Sequence, residues 1–218
     1  MEQKGRSFYK KKQKDIDFKK YLKPLIIVAV IVFGVYYFTK DNSVYLGPGV
    51  FAPDEPLQTN LETPETFRFK NYNITLLAQF SIKAKVLSKE NYKHGRESDL
   101  SPTDLALGWG RMSDEAVLKN IKISQSGRWY RWRVKEFPIP KREIETHSAN
   151  MHIIPATGGV EDILKRVKKG QIIEIEGYLV NINGDDGWSW HSSLTRNDTG
   201  NHACEVVYVE NLLIVKGI

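Results

Sequence analysis

The feature that most constrains this chain is an apolar run from Leu25 to Phe38, which carries no charge and follows directly on Lys19, Lys20 and Lys23. Extended back to Leu22, it makes a helix of roughly 25 Å at about 1.5 Å per residue, set against ~30 Å of bilayer hydrocarbon. Snorkelling of Lys23 and local thinning of the bilayer close that gap. Pro24 suits a first helical turn, and Tyr36 and Tyr37 fall where an interfacial aromatic belt belongs. A cleaved signal peptide needs small residues before its cut, and the run ends instead in Tyr-Tyr-Phe-Thr-Lys-Asp-Asn. The expectation is an uncleaved signal-anchor helix over residues 22–39.

Charge sets its orientation. Of 32 Lys/Arg and 26 Asp/Glu in 218 residues, nine basic and three acidic residues precede residue 24, so the rest of the chain is formally neutral. The positive-inside rule then places a basic tail, residues 1–21, in the cytoplasm and the C-terminal domain in the periplasm or outside the cell. The tail segment YKKKQK is read as a topology signal that also attracts anionic lipid, with the bilayer as its partner. Outward topology and a neutral outer domain count against nucleic acid. The single Cys rules out an intramolecular disulfide.

Residues 40–66 are rich in Pro and Gly and read as a linker, or as a segment draped over the domain with Phe51 docked. The folded domain is expected over 67–218. FRFKNY and TLLAQFSIKAKVLS read as strands, with Phe80, Ile82, Ala84 and Val86 facing inward and Lys83 and Lys85 outward. Ser101, Pro102 and Asp104 form a helix-start pattern, so a short helix is predicted over 101–109. Ser113 with Asp114 and Glu115 starts another. IKISQSGRWYRWRV reads as a hairpin turning at Ser126-Gly127. NMHIIP is a strand, GGVEDILKRVKKG a helix, and QIIEIEGYLVNI a strand closed by the turn NGDDG. ACEVVYV and NLLIVK close the chain as two further strands. The fold class is α+β, mainly antiparallel β, with a small barrel-like domain behind one N-terminal helix. The passage from Val160 to Ile182 (a helix, then Lys168-Lys169-Gly170, then a strand with Gly177 in its middle) resembles the entry to the fourth strand of OB-fold barrels.

Polar chemistry concentrates in GWSWHSSLTRNDTGNHACE, Gly187 to Glu205. On a strand His202 and Cys204 share a face. Cys204 is therefore a candidate nucleophile, with His202, His152 or His191 as base and Asp198 or Glu205 orienting it. The competing account is that Cys204 is a small buried hydrophobe opening the core strand VVYV. Asp198-Thr199-Gly200 spells the short motif of aspartic proteases, yet it lacks the preceding apolar strand and a second copy. A turn with Gly200 at positive φ is the simpler reading. The five His match no zinc spacing, so neither a metal nor a cofactor is expected. RWYRWR, Arg128 to Arg133, interleaves cations and aromatics that can stack sugars or bases; the alternative is a barrel strand with Tyr130, Trp132 and Val134 inward. Asn150 and His152 share a face and, with Trp188, Trp190, Thr195 and Arg196, have the chemistry of a polar pocket.

Together these features point to a single-pass envelope protein whose outer domain binds a partner protein or an envelope glycan through Arg131, Trp132, Trp188, Trp190, His191 and Arg196. The alternatives are a tethered hydrolase built on Cys204 or His152, and an OB-like binder of single-stranded nucleic acid.

Overall fold

The computed structural model describes residues 18–39 (side chains for 21–35), 42–198, 200 and 203–215. The chain divides into two units, Met1–Asp41 and Asn42–Ile218. The first contains the helix α1, Phe18–Thr39. Its apolar side chains from Leu25 to Val35 are exposed around the whole circumference. Among the described residues no helix is long and apolar enough to cross a membrane.

The second unit starts at Asn42 rather than near Phe67, because residues 42–66 are tied to the domain along their length. The Val44 N–H donates to the Lys169 carbonyl at 2.8 Å. Gly49 N–H donates to Asp114 Oδ1 at 2.9 Å, and Ala52 N–H to Ser113 Oγ at 3.1 Å. The buried Trp109 indole donates to Glu55 Oε2 at 2.7 Å. Leu57–Asn60 is a strand, β1. Gly170 is what admits this strap: its φ is +85°, and a Cβ there would stand 1.8 Å from the Val44 oxygen.

The remaining elements, in order, are β2 Thr66–Phe69, β3 Tyr72–Asn91, β4 Thr103–Gly108, α2 Glu115–Leu118, β5 Ile121–Ser126, β6 Trp129–Val134, α3 Lys141–Thr146, β7 Ser148–Pro155, α4 Gly158–Arg166, β8 Ile172–Gly184, β9 Ser189–His191 and β10 Glu205–Ile214. Five strands form a ring, β3-β4-β7-β10-β8, closed by pairing of β3 with β8. Every step is antiparallel except β7–β10. β1, β2 and β9 extend the sheet, and β5–β6 stands apart as a hairpin. Phe80, Ile82, Ala84 and Val86 point into the ring and meet Leu105, Leu107, Met151, Ile175 and Val207 there; α4 closes one end with Val160 and Leu164. Gly177 sits where β8 and β10 come closest: a Cβ would lie 2.0 Å from the Tyr208 oxygen.

Four sequence expectations change. The helix predicted over 101–109 is the strand β4, whose six residues are all buried. It is covered by the ring core on one face and by a second apolar cluster, around Met112, Ile121 and Ile144, on the other. A strand covered on both faces loses its alternation, and the Ser-Pro-x-Asp pattern then imitates a helix start. The helix after Ser113 is capped by Asp114, whose side chain accepts from Ala116 N–H at 2.7 Å. Lys85, expected on the solvent face, is buried and paired with Glu115 at 2.7 Å. The two C-terminal strands are one, β10, with a bulge between Val209 and Asn211 that lets it leave β7 while staying on β8.

Candidate functional site

The β5–β6 turn sets the site. Gly127 and Arg128 are its two central residues, with φ of 58° and 70°, and Ser126 pairs with Trp129. Positive φ at both positions is what a two-residue hairpin needs. A glycine takes it freely; an arginine does so under strain and needs something to hold it. The turn therefore falls one residue later than the sequence suggests, and Arg128 leaves the strand. Tyr130, Trp132 and Val134 face inward, while Trp129, Arg131 and Arg133 are exposed.

What holds Arg128 is a buried ionic centre under the hairpin. Its Nη1 donates to Asp104 Oδ1 at 2.6 Å and its Nη2 to the Ser101 carbonyl at 2.9 Å. The guanidinium lies 3.8 Å from the Tyr92 ring centre and 5.7 Å from that of Trp190. The Tyr92 hydroxyl accepts from Arg128 N–H at 2.9 Å. His152 Nδ1 lies 2.9 Å from Asp104 Oδ1, and its ring packs 4.8 Å from Trp190. Asp104 is 1 % exposed. The Arg128 guanidinium compensates that buried carboxylate at Oδ1, while among the described residues Asp104 Oδ2 and His152 Nδ1 have no hydrogen-bond partner. His152 is thus part of a structural latch.

Beside the latch lies a cleft of about 380 Å³. One wall is β6, with Trp129, Tyr130, Arg131, Trp132 and Arg133; the floor is the start of β7, and the other wall holds Arg196, Asp198, Gly200, Ala203, Cys204 and Glu205. Glu205 begins β10 beside Met151 of β7 and is fully buried. Arg196 Nη1 stands 3.5 Å from Glu205 Oε1, outside hydrogen-bond geometry, while its Nη2 donates to Gln58 Oε1. Among the described residues neither Glu205 oxygen has a hydrogen-bond partner, nor has Asp198 Oδ1. Asp198 Oδ2 accepts from Ser193 Oγ at 2.7 Å. Burial raises the Glu205 carboxyl to about 8 against the pull of Arg196, with Asp198 adding to the rise.

Cys204 also lines this cleft, and Asn150 Nδ2 approaches its Sγ at 3.8 Å. Burial pushes the thiol up to about 11, helped by the carboxylates of Glu205, Asp104 and Asp198. A nucleophilic thiol needs the opposite shift. Among the described residues the imidazole of His152 is engaged with Asp104 and Trp190, and the partner of Cys204 Sγ is Asn150. His202 lies outside the described residues. Gly200 has the positive φ expected of a turn glycine, +93°. Among the described residues no group of His, Cys, Asp and Glu is arranged to hold a metal ion.

Of the six residues expected to bind ligand, Arg131, Trp132 and Arg196 line the cleft. Trp188, Trp190 and His191 do not. Trp188 stacks under Arg96 at 4.6 Å and meets Tyr72 edge-on, Trp190 covers His152, and His191 is exposed on β9. They follow the NGDDG turn back along β8, which carries them to the outer cluster around Ile74 and Ile182. The cleft residues missed as ligand contacts are Trp129, Tyr130 and Arg133. The Gly127-Arg128 turn, placed correctly, gives their facing. No protein-family model, no curated protein and no solved structure matches the chain.

Proposed function

We propose that this chain is a membrane-tethered binding module whose outer domain takes an envelope glycan in the cleft between β6 and the Arg196–Glu205 segment. The observation that carries this reading is the make-up of that cleft: on the β6 side the exposed Trp129 beside the inward-packed Tyr130 and Trp132, and opposite them Arg196, Asp198 and Glu205. Flat aromatic faces stack on the apolar faces of sugar rings, and a few fixed polar groups select the hydroxyl pattern. A strand order of β3-β4-β7-β10-β8 with a helix before the fourth ring strand is that of an OB-type barrel. Such barrels bind oligosaccharides or oligonucleotides on their second and third strands and through the loop between the fourth and fifth. The cleft uses the third ring strand and that loop. Formal neutrality of the chain beyond residue 23 favours the sugar over the nucleic acid, and the raised thiol of Cys204 favours binding over catalysis.

The tether is α1. A helix apolar on every face belongs in a protein core or a bilayer, and the side chains from Leu25 to Val35 are exposed. The apolar sequence that α1 carries, residues 22–38, makes roughly 25 Å at about 1.5 Å per residue and extends past the described side chains, 21–35, so this reading needs the bilayer to thin locally around it. The lysines before it keep the N-terminus in the cytoplasm and send the domain out. Titrating β-1,4-linked oligosaccharides into the full chain in detergent micelles should shift its tryptophan fluorescence, and Trp129→Ala should weaken binding at least tenfold. Oligosaccharide binding that ignores this substitution would remove the cleft from the account.

A further inference from the structure

Three acceptor atoms at the end of the cleft stand buried without donors among the described residues: both oxygens of Glu205 and Asp198 Oδ1. A buried acceptor left unmatched costs free energy, and a carboxylate costs more than a neutral group. Arg196 does not settle this. Its Nη1 stands off at 3.5 Å and makes no hydrogen bond, and its other terminal nitrogen is committed to Gln58.

We infer that the cleft recognises a primary ammonium group on its ligand, seated against the Glu205 and Asp198 carboxylates; this rests on the glycan-binding reading and narrows it to amino sugars. An ammonium is a compact charge with three donors, matching three acceptors. A sugar hydroxyl brings one donor and no charge. An anionic group meets two carboxylates. The rim selects what the ammonium is attached to. Arg131 and Arg133 are exposed on β6, so a body crowded with positive charge is repelled and a largely neutral or acidic one is favoured.

Binding should also move a proton. The charged and titratable groups lining the cleft with Glu205 are Arg196, Asp198 and Cys204 from its own wall, Tyr130, Arg131 and Arg133 from β6, and Glu145 from α3. The strand β7 contributes only Ser148, Ala149 and Asn150. In that setting burial keeps the Glu205 carboxyl mostly protonated at neutral pH. An arriving ammonium favours the ionised form, and Glu205 gives up its proton to solvent.

The test is calorimetric titration of the full chain in micelles at pH 5.5, where a sugar amine and the Glu205 carboxyl both hold their protons, with three probes: a glucosamine tetramer (β-1,4-linked, one glucosamine and three N-acetylglucosamines, hence one ammonium), its fully N-acetylated counterpart, and Nα-acetyl-lysinamide. The glucosamine tetramer should bind at least tenfold tighter than the acetylated one. Repetition in buffers of different ionisation enthalpy should show close to one proton released. Glu205→Gln should bring the two tetramers to within about twofold, and Asp198→Asn should narrow the gap on its own if the first variant folds poorly. Equal or tighter binding of the acetylated tetramer overturns the ammonium inference and leaves glycan binding standing. Binding of the lysinamide with neither tetramer bound upholds the ammonium and overturns the glycan. No binding of any probe overturns both.

Discussion

Between pH 5.5 and 8.5 the folded chain should lose roughly 3 kcal/mol of stability through Glu205 alone, and Glu205→Gln should abolish that loss. The carboxyl rises from an ordinary 4.5 to about 8 in the fold, chiefly through burial. Folding therefore keeps a proton that the unfolded chain releases above about 4.5. The contribution is complete at low pH and is lost as the pH climbs through about 8. For a unit of this size that corresponds to a fall in Tm of roughly 10 °C. Thermal melts of wild type and Glu205→Gln across this range read it directly. A wild-type Tm that rises from pH 5.5 to 8.5, or a variant with the same slope, contradicts the assignment.

Removing the latch should cost more. Arg128→Ala leaves Asp104 buried and without its guanidinium partner, which costs about 3–5 kcal/mol. The hairpin that carries the aromatic wall should loosen as well, since Arg128 is what joins its turn to β4 and Tyr92. Arg128→Lys should recover little, because one ammonium replaces neither the two-pronged contact with Asp104 and Ser101 nor the stacking on Tyr92. Arg128→Met combined with Asp104→Leu should recover a large part, because no charge is then left stranded. Chemical denaturation of the three variants beside wild type separates these outcomes. A double variant no better than Arg128→Ala alone would mean that the contacts themselves, and not the stranded carboxylate, carry the cost.

The elements read well from sequence are those with one solvent face. β3 alternates, α4 keeps its apolar stripe on Val160, Leu164 and Val167, and Gly170 and Gly177 mark real close approaches. β4 was lost because both of its faces are covered. β10 was cut in two because the bulge at Glu210 looks like a turn. The site was half legible. Polar density in Gly187–Glu205 is real, but it divides: the Trp188–His191 end follows β9 away, and the Arg196–Glu205 end faces the hairpin. Only tertiary pairing decides that split. The least legible feature was Glu205. An acid before Val-Val-Tyr-Val resembles a strand-end charge, but β7 pairs with it on one side, and Ser192 and Ser193 bond to Val206 and Cys204 on either side of it.

In the binding reading proposed above, the ligand enters beside Cys204 and the thiol is not a catalyst. The most direct measurement is the rate of Cys204 alkylation in the full chain as a function of pH, with and without saturating glucosamine tetramer. The expected result is a slow reaction whose rate climbs toward about pH 11 and which, measured near pH 6 where the ligand is an ammonium, falls at least tenfold when the cleft is filled. Fast alkylation with a midpoint below about 7.5, unchanged by the tetramer, would contradict both halves of the claim and return the site to catalysis.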